Sequence, residues 1–345
     1  MKAIAIREHL PLDHANALLD IEMPKPQATG RDLLVKIEAI AVNPVDAKVR
    51  ASDAFPGPTP DADGRMLRVL GWDAAGVVEA VGPQVTQFKP GDRVYYAGAL
   101  QRQGAYSEYQ LVDERITGHM PASLDFSQAA ALPLTTITAW EALFERLRIA
   151  QDGAARGKRI LIIAGAGGVG SIAIQLARQV AGLEVIATAS REDSAAWCRS
   201  LGANHVIDHS GNMPAQLQAL GLPQVDYVLC ASELEPHFDA LAEIIAPQGL
   251  ICAIVETAQA LPMVKLMAKS AGLVWEMMFT RSLFSTSDMQ QQHVLLERAA
   301  QLIDQGVLRS TMGENYGRIN AANLRRAHAA IEGKHTRGKI VLSGF

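Results

Sequence analysis

The stretch RILIIAGAGGVGSIAIQLAR, residues 159–178, constrains the fold more than any other part of the chain. It begins as an apolar, β-branched run, passes through a cluster of glycines, and continues with the spacing of an amphipathic helix. A buried strand that leads through a glycine turn into a helix is the opening of a βαβ unit. The stretch therefore predicts a parallel sheet with helices on its faces.

The hexapeptide GAGGVG, residues 165–170, fits the pattern G-x-G-x-x-G between that strand and that helix. In this pattern Gly165 permits the tight turn, Gly167 lets backbone N–H groups approach a pyrophosphate, and Gly170 allows the helix to pack on the strand. A merely structural glycine turn is the alternative, but strand, motif, helix and second strand follow in order, which favours a dinucleotide site. The predicted cofactor contacts of the turn are Gly165, Ala166, Gly167, Gly168, Val169 and Gly170.

The end of the second strand indicates which dinucleotide is bound. A site for NAD usually carries Asp or Glu about 20 residues past the glycine motif, where the carboxylate holds the ribose 2′-OH. Ser190 and Arg191 stand there instead, and a hydroxyl beside a fixed cation suits a 2′-phosphate. Two alternatives stay open: Ser190 caps the next helix while Arg191 is a solvated charge, or Glu192 or Asp193 turns into the ribose site. The residues favour NADPH over NADH.

Two modules are indicated by the change of hydrophobic pattern along the chain. Residues 1 to about 130 contain short β-branched runs between Gly and Pro turns, which predicts a mostly antiparallel β module. Strands then alternate with helices as far as LVWEMMFT, residues 273–280, which we interpret as the final strand of a parallel sheet. The tail resembles the first module again. We therefore expect one domain from residues 1–131 and 284–345, and a second from 132–283.

Composition excludes several classes of protein. The formal net charge of the 345 residues is -4, and no Lys/Arg cluster follows a predicted helix, so we expect no nucleic-acid partner. The three cysteines, Cys198, Cys230 and Cys252, form no CxxC pair and are expected to be buried small side chains. No apolar window is long enough for a membrane span and the N-terminus lacks the apolar region of a signal peptide, so we expect a cytoplasmic protein.

Five segments together resemble the medium-chain dehydrogenase/reductase superfamily, in its zinc-free quinone oxidoreductase branch, often labelled zinc-type alcohol dehydrogenase-like. The resemblance implies an α/β protein with a GroES-like β-rich catalytic domain and a Rossmann domain that has a doubly wound parallel sheet and binds the cofactor. The segments, besides the glycine motif, are NPVDAKVR (43–50), GWDAAGVVEAVG (71–82), KPGDRVYY (89–96), AAALPLTTITAWEAL (129–143) and TRGKIVL (336–342).

Departures from the zinc enzymes of the superfamily decide the expected chemistry. Those enzymes have Cys where Asn43 stands and a His-Glu pair where Trp72 and Asp73 stand, and their cysteine-rich structural zinc lobe is here AGALQRQGAYSEY. A catalytic zinc needs about three protein ligands, so we expect no metal. Without it, oxidation of an alcohol with a pKa near about 16 is disfavoured. Hydride transfer to a quinone or an α,β-unsaturated carbonyl places charge on an oxygen that hydrogen-bond donors stabilise.

Four residues are candidates for catalysis, Asn43 among them by the same resemblance. Asn43 is expected to contact the substrate carbonyl or the nicotinamide ribose, the alternative being a turn residue before Pro44. Lys48 is a candidate donor to the oxyanion, or else an ordinary helix lysine. Tyr95 and Tyr96 alternate on a strand, so one is expected to face the cleft and to pass a proton to the α-carbon, with water as the alternative.

Further cofactor contacts and partners also follow from the resemblance. Thr138 is expected near the nicotinamide carboxamide, His209 near the adenosine ribose, and Lys339 near the cofactor phosphates, although Lys339 is equally a solvated cation. His205 and His209 are expected to be structural rather than a metal site. The family pairs the last strand of its cofactor domain across a dimer, so LVWEMMFT suggests a homodimer.

The predicted activity is therefore NADPH-dependent, zinc-independent reduction of a small quinone or enone. Two other functions stay open. An enoyl-thioester reductase would share the fold and the cofactor. A non-catalytic NADPH-binding sensor or scaffold would keep the nucleotide site without turnover.

Overall fold

A computed structural model describes residues 1–55, 57–61 and 64–345. The chain folds into two units, each with its own interior. The discontinuous unit comprises Met1–Leu134 and Phe279–Phe345, and the central unit comprises Thr135–Met278. The chain thus passes between units after residues 134 and 278, where the sequence suggested 131 and 283.

The first 120 residues contain mostly β-strands, and helices alternate with strands from about residue 126. Glycine and proline turns separate the early strands, as expected for antiparallel hairpins. The strands of the described residues are β1 (Lys2–Ile6), β2 (Leu19–Glu22), β3 (Asp32–Val42), β4 (Thr59–Pro60), β5 (Met66–Val69), β6 (Ala74–Val81), β7 (Arg93–Tyr96), β8 (Tyr109–Asp113), β9 (Thr117–His119), β10 (Arg159–Ile163), β11 (Glu184–Thr188), β12 (His205–Ile207), β13 (Val225–Cys230), β14 (Ile245–Ala253), β15 (Gly272–Trp275), β16 (Met312–Asn315) and β17 (Lys339–Ser343).

The helices are mostly short and several continue into other helical turns. Two π-helical segments, Glu141–Arg146 and Leu176–Val180, extend the helices that precede them. The α-helices of the described residues are α1 (Pro44–Ala51), α2 (Phe126–Ala130), α3 (Pro133–Trp140), α4 (Gly168–Gln175), α5 (Glu192–Ser200), α6 (Met213–Ala219), α7 (Phe238–Ile244), α8 (Thr280–Phe284), α9 (Gln291–Asp304) and α10 (Ala321–Glu332).

The central unit is built on a six-stranded parallel sheet in the order β12-β11-β10-β13-β14-β15. Residues 160–163 of β10 are fully buried, which explains why this strand reads as a continuous apolar run instead of an alternating one. The strand order reverses direction between β10 and β13, and the glycine-rich turn follows β10 at its carboxyl end. Ligands of doubly wound sheets bind at such a reversal.

The discontinuous unit contains two sheets, and the C-terminal strand β17 lies inside the larger one. That sheet has the order β16-β17-β3-β6-β7-β9 with β8 also pairing with β3, and the smaller sheet has the order β2-β1-β5-β4. β17 runs antiparallel to β3, with Ile340 opposite Val42. This register brings Lys339, the first residue of β17, beside Asn43, which directly follows β3. The β-rich module and the doubly wound parallel sheet expected from the sequence are both confirmed.

The predicted final strand LVWEMMFT is a strand only in its first part. β15 ends at Trp275, and the next residue turns its carboxylate inward, with Glu276 Oε2 2.8 Å from Arg146 Nε. Met277, one residue further, is 47% exposed. β15 is an edge strand of its sheet, and pairing of two copies across it stays a prediction.

Two other expectations concern the cysteines and the membrane. Cys198, Cys230 and Cys252 are unbonded to one another and buried, as predicted. No helix in the described part of the chain has the length and apolar character needed to cross a membrane.

Candidate functional site

The glycine-rich turn of the central unit is fixed to the neighbouring strand β11. The Ala164 N–H donates to Thr188 Oγ1, and the Gly165 N–H donates to the Thr188 carbonyl, both at 3.0 Å. The left-handed backbone lies at Ala164, where φ is 59°. This differs from the sequence-based expectation that Gly165 makes the tight turn, because Ala164 takes the unusual conformation and Gly165 serves packing.

The glycines of the turn differ in what surrounds them. A Cβ on Gly165 would lie 2.8 Å from the Cβ of Ala187, and a Cβ on Gly170 would lie 2.4 Å from the Ala164 carbonyl oxygen. Both distances are too short for real Cβ atoms. A Cβ on Gly167 would come no closer than 3.4 Å to its nearest neighbour. Packing therefore requires Gly165 and Gly170, whereas Gly167 borders open space.

The N-terminus of α4 presents bare backbone. Gly167 is the N-cap residue and offers no side chain to the first helical turn. The N–H groups of Gly168 and Val169 precede the first possible intrahelical acceptor, and the helix dipole adds partial positive charge. Gly167, Gly168 and Val169 are all half-buried. The turn fits a phosphate group that approaches the backbone directly, as the hexapeptide predicted.

Ser190 and Arg191 are both exposed after the end of β11. Arg191, and not Ser190, is the N-cap residue of α5, and it makes no side-chain capping bond. The two acidic residues that follow are held by their own helix. The Ser194 N–H donates to Asp193 Oδ1 at 2.7 Å and lowers the pKa of that carboxyl, while Glu192 pairs with Arg199 at 2.9 Å.

The other predicted cofactor residues of the central unit have diverse surroundings. His209 packs edge-to-face on His237, with ring centroids 5.9 Å apart, and its Nδ1 is buried without a hydrogen-bond partner in the described residues. His205 contacts Glu184 at 3.2 Å, so the two histidines do not form a pair. Thr138 is buried on α3.

A buried ion pair forms the centre of the discontinuous unit. Lys339 Nζ lies 3.0 Å from Asp73 Oδ2 and 3.0 Å from the Val42 carbonyl, and it also donates to Asn43 Oδ1. Asn43 Nδ2 donates to the same Asp73 oxygen at 2.9 Å. The other oxygen of Asp73 accepts the Leu134 N–H at 2.8 Å. We call Asn43, Asp73 and Lys339 the ion-pair cluster.

The ion-pair cluster differs from what the sequence suggested for two of its members. Lys339 is only 3% exposed and its three donors meet three acceptors, so it is neither a phosphate contact in this arrangement nor a solvated cation. Asn43 is 1% exposed and its amide is engaged on both sides, so it positions neighbouring groups instead of presenting a donor to substrate. The sequence marks Asp73 only as a replacement for a residue of the zinc enzymes.

A second polar network adjoins the ion-pair cluster through the backbone of Asn43. Asp46 Oδ2 accepts the Asn43 N–H and the Tyr106 hydroxyl, both at 2.8 Å. The Tyr106 hydroxyl also lies 3.2 Å from His328 Nε2. Burial raises the pKa of Asp46 to about 7 against the lowering effect of these bonds, and burial beside Arg50 lowers the pKa of His328 to about 3. Sequence reasoning missed Tyr106 and His328, which 222 residues separate.

The remaining catalytic candidates lie apart from these networks. Tyr95 and Tyr96 are both buried in β7, so neither presents its ring to solvent. The Tyr95 hydroxyl donates to the Leu296 carbonyl at 2.6 Å, and burial raises its pKa well above the ordinary value. Burial also raises the pKa of Tyr96, whose hydroxyl meets no hydrogen-bond partner among the described residues. The expectation of one cleft-facing tyrosine therefore differs from the structure. Lys48 is half-buried on α1.

The residues at the position of the family's zinc do not fit a zinc ion. Zinc takes thiolate, imidazole or carboxylate ligands, about three from the protein at a catalytic site. Here the positions of the zinc ligands hold the amide of Asn43, the indole of Trp72 and the carboxylate of Asp73. That carboxylate is already paired with the Lys339 ammonium. Across the described ranges, no group of three or more His, Cys, Asp or Glu side chains is arranged to hold a metal ion.

Comparison with known proteins assigns the family. The model of the alcohol dehydrogenase GroES-like domain matches residues 29–122, and that of the zinc-binding dehydrogenases matches residues 201–342. A zinc-type alcohol dehydrogenase-like protein of Staphylococcus aureus (strain MSSA476) is 39% identical over 344 residues, which are 99% of this chain and 100% of the relative. This chain belongs to the medium-chain dehydrogenase/reductase family. It is an oxidoreductase of that family.

Solved structures and a plant relative agree with this family assignment. A Rhizobium etli CFN 42 protein, named provisionally as a zinc-dependent alcohol dehydrogenase, superposes with a TM-score of 0.93 at 48% identity, covering 100% of this chain and 98% of its own. A mycobacterial family member complexed with NADPH gives a TM-score of 0.82 at 28% identity, covering 99% and 100%. The NADPH-dependent alkenal/one oxidoreductase of Arabidopsis thaliana is 37% identical over 199 residues, 56% of this chain and 48% of the relative. The family binds a nicotinamide cofactor.

The ion-pair cluster generates a prediction about stability. Lys339→Met leaves the Asp73 carboxylate buried without its cation, so we expect the free energy of unfolding in urea to fall by about 3–5 kcal/mol. Adding Asp73→Asn to that variant should restore a large part of the loss. Lys36→Met removes an exposed lysine of the same unit and should cost less than about 1 kcal/mol. An equal effect of Lys36→Met and Lys339→Met would contradict the assignment.

The raised pKa of Asp46 generates a prediction about pH. The pKa rises from 3.8 to about 7 in the folded protein, so between these values unfolding releases a proton. The free energy of unfolding should therefore fall as the pH rises through this window, with a slope from this group on the order of 1 kcal/mol per pH unit, and the dependence should flatten above it. Denaturant titrations of Asp46→Asn should lack this slope, whereas the exposed-site control Asp13→Asn should keep it. A slope unchanged in Asp46→Asn would refute the assignment.

The glycine turn generates a matched pair of variants. Gly170→Ala forces the turn away from the Ala164 carbonyl and should lower the free energy of unfolding of the cofactor-free protein by about 1–3 kcal/mol. Gly167→Ala has room, so its stability should stay within about 1 kcal/mol of the parent protein, but the methyl group stands in the phosphate approach and nucleotide affinity should fall by roughly a factor of ten. Thermal unfolding and nucleotide-fluorescence titration measure the two effects. Undiminished nucleotide binding by Gly167→Ala would remove this turn from the site.

Proposed function

We propose that this protein is an NADPH-dependent, zinc-independent reductase that transfers hydride to a quinone or an α,β-unsaturated carbonyl. The observation that carries the proposal is the ion-pair cluster. The Lys339 ammonium and the Asn43 amide both bond to the Asp73 carboxylate, which stands at the position where zinc enzymes bind their metal. Without a metal to acidify an alcohol, an acceptor whose carbon is already electrophilic is the substrate that suits such a site.

NADPH, when bound, supplies the hydride. In this proposal the N–H groups of Gly168 and Val169 bind its pyrophosphate, and Arg191 with Ser190 binds its 2′-phosphate. Both acids at the start of α5 support this choice, because Asp193 is bonded to the Ser194 N–H and Glu192 is paired with Arg199. A carboxylate engaged in this way is a poor acceptor for a ribose 2′-OH. Arg191 Nε lies 3.4 Å from Asp193 Oδ1, and in this proposal the 2′-phosphate shares or replaces that exposed contact.

The chain must also stabilise charge on the acceptor. Hydride addition to the β-carbon leaves an enolate, or a phenolate from a quinone, whose oxygen requires a donor. We assign this donor role to Lys48, which lies on α1 two residues after Asp46 and is half-buried. The α-carbon then takes a proton from water, since the Tyr95 hydroxyl is committed to the Leu296 carbonyl. The named activity of the plant relative, on alkenals and enones with NADPH, supports the same acceptor class.

Turnover measurements distinguish this function from its alternatives. Purified protein mixed with NADPH should oxidise it in the presence of a benzoquinone or a simple enone, followed by loss of nucleotide absorbance. An enoyl-thioester reductase would turn over a crotonyl thioester much faster than either small acceptor. A sensor or scaffold would bind NADPH and leave it unoxidised with every acceptor, and that result would refute the proposal.

One variant tests the preference for NADPH over NADH. Arg191→Ala should weaken NADPH binding by roughly a factor of ten or more while leaving NADH nearly unchanged, because a charge-assisted bond to the 2′-phosphate is lost. Arg156→Ala removes another exposed arginine of the central unit, which precedes β10 and so lies at the opposite end of that strand from the glycine turn, and it should change neither nucleotide affinity. Fluorescence titration of both nucleotides gives the ratio. An NADPH-to-NADH affinity ratio that is the same in the parent protein and both arginine variants would contradict the 2′-phosphate assignment.

A further inference from the structure

The discontinuous unit contains a cavity of about 360 Å³ that none of the networks above uses. It lies between β5 and β8, and the segment 101–104 lines another side of it. Its walls are apolar at Met23, Val69 and Leu111 and polar at two arginines and three glutamines. No Asp or Glu is among the described residues that line it.

Arg68 is the unusual member of this wall. Its side chain is 5% exposed, and one guanidinium nitrogen donates to the Leu100 carbonyl at 2.6 Å. The guanidinium also lies 5.7 Å from the centre of the Trp72 ring. Its Nε is buried and has no hydrogen-bond partner, and no carboxylate lies within 4.0 Å of the group among the described residues. A buried cation normally pairs with an anion, because desolvation of an unpaired charge is costly.

Gln110, on the same cavity wall, has hydrogen bonds to the described residues at only one end of its side-chain amide. Its Nε2 donates to the Gln103 carbonyl at 3.0 Å, but its Oε1 is buried and accepts no hydrogen bond in the described structure. Arg102, the other arginine of the cavity, is already paired with Asp32 at 2.8 Å. Within the described ranges, the cavity thus offers an unpaired cation and an unpaired acceptor on a largely apolar surface.

We propose that this cavity binds the carboxylate of a small organic acid that also carries a hydroxyl or N–H group. Arg68 takes the carboxylate, Gln110 Oε1 accepts from the hydroxyl or N–H, and the apolar walls cover the body of the ligand. A monoanion suits the site better than a phosphate dianion, because the Arg68 guanidinium carries a single charge and Arg102 is already neutralised. The site requires neither NADPH nor the proposed reductase activity.

Calorimetric titration of the full-length protein with 4-hydroxybenzoate, in the absence of nucleotide, tests the proposal. The parent protein should bind one equivalent saturably, and Arg68→Met should lose affinity by roughly a factor of ten or more because a charge-assisted, two-bond contact disappears. Arg93→Gln is the matched control, since Arg93 also bonds a backbone carbonyl, that of Leu124, and lies 4.8 Å from an aromatic ring but is outside the cavity. It should bind like the parent.

A second variant keeps the test decisive if Arg68→Met fails to fold. Gln110→Leu should weaken 4-hydroxybenzoate severalfold and leave benzoate, which lacks the hydroxyl, unchanged. Failure of the parent to bind either acid saturably, equal losses in Arg93→Gln and Arg68→Met, or tighter binding of inorganic phosphate than of both acids would overturn the proposal. Because nucleotide is absent, each of these outcomes is independent of NADPH oxidation.

Discussion

The structure of the discontinuous unit depends on neutralising one buried carboxylate. Asp73 is completely buried, and burial alone raises its pKa against the lowering effect of Lys339. The ammonium, the Asn43 amide and the Leu134 N–H together satisfy both carboxylate oxygens. Such pairing offsets much of the cost of desolvating a buried charge. These contacts join the first residue of β17 to Asn43, which follows β3 and is the N-cap residue of α1.

Features encoded by consecutive residues could be predicted from the sequence. The apolar run of β10, the glycines after it and the start of α4 follow each other without interruption, so local propensity and turn chemistry were sufficient. The same holds for β1, β3 and β6, whose alternating or β-branched patterns match the observed strands. The prediction for the end of β15 was wrong because the apolar residues continue past Trp275, where the strand ends. The buried Glu276 carboxylate that follows the strand pairs instead with half-buried Arg146 of a distant segment.

The candidate site of the discontinuous unit could not be predicted in the same way. Lys339 reaches Asn43 across 296 residues, and this contact exists only because β17 pairs with β3 in one particular register. From sequence, a lysine before a terminal strand looks like a solvated cation or a phosphate contact. Tyr95 gives a second example, since alternation along β7 shows which residues share a face but not that α9 supplies the Leu296 carbonyl to its hydroxyl.

The insertion of the central unit between two parts of the other has a consequence for synthesis on the ribosome. Asn43 and Asp73 are synthesised long before Lys339, which supplies their counter-ion. The Asp73 carboxylate therefore lacks its cation until residue 339 has been synthesised, whereas the contiguous residues 135–278 of the central unit are complete before that point. Nascent chains that terminate before residue 339 lack this closing charge and are natural targets for chaperones and proteases.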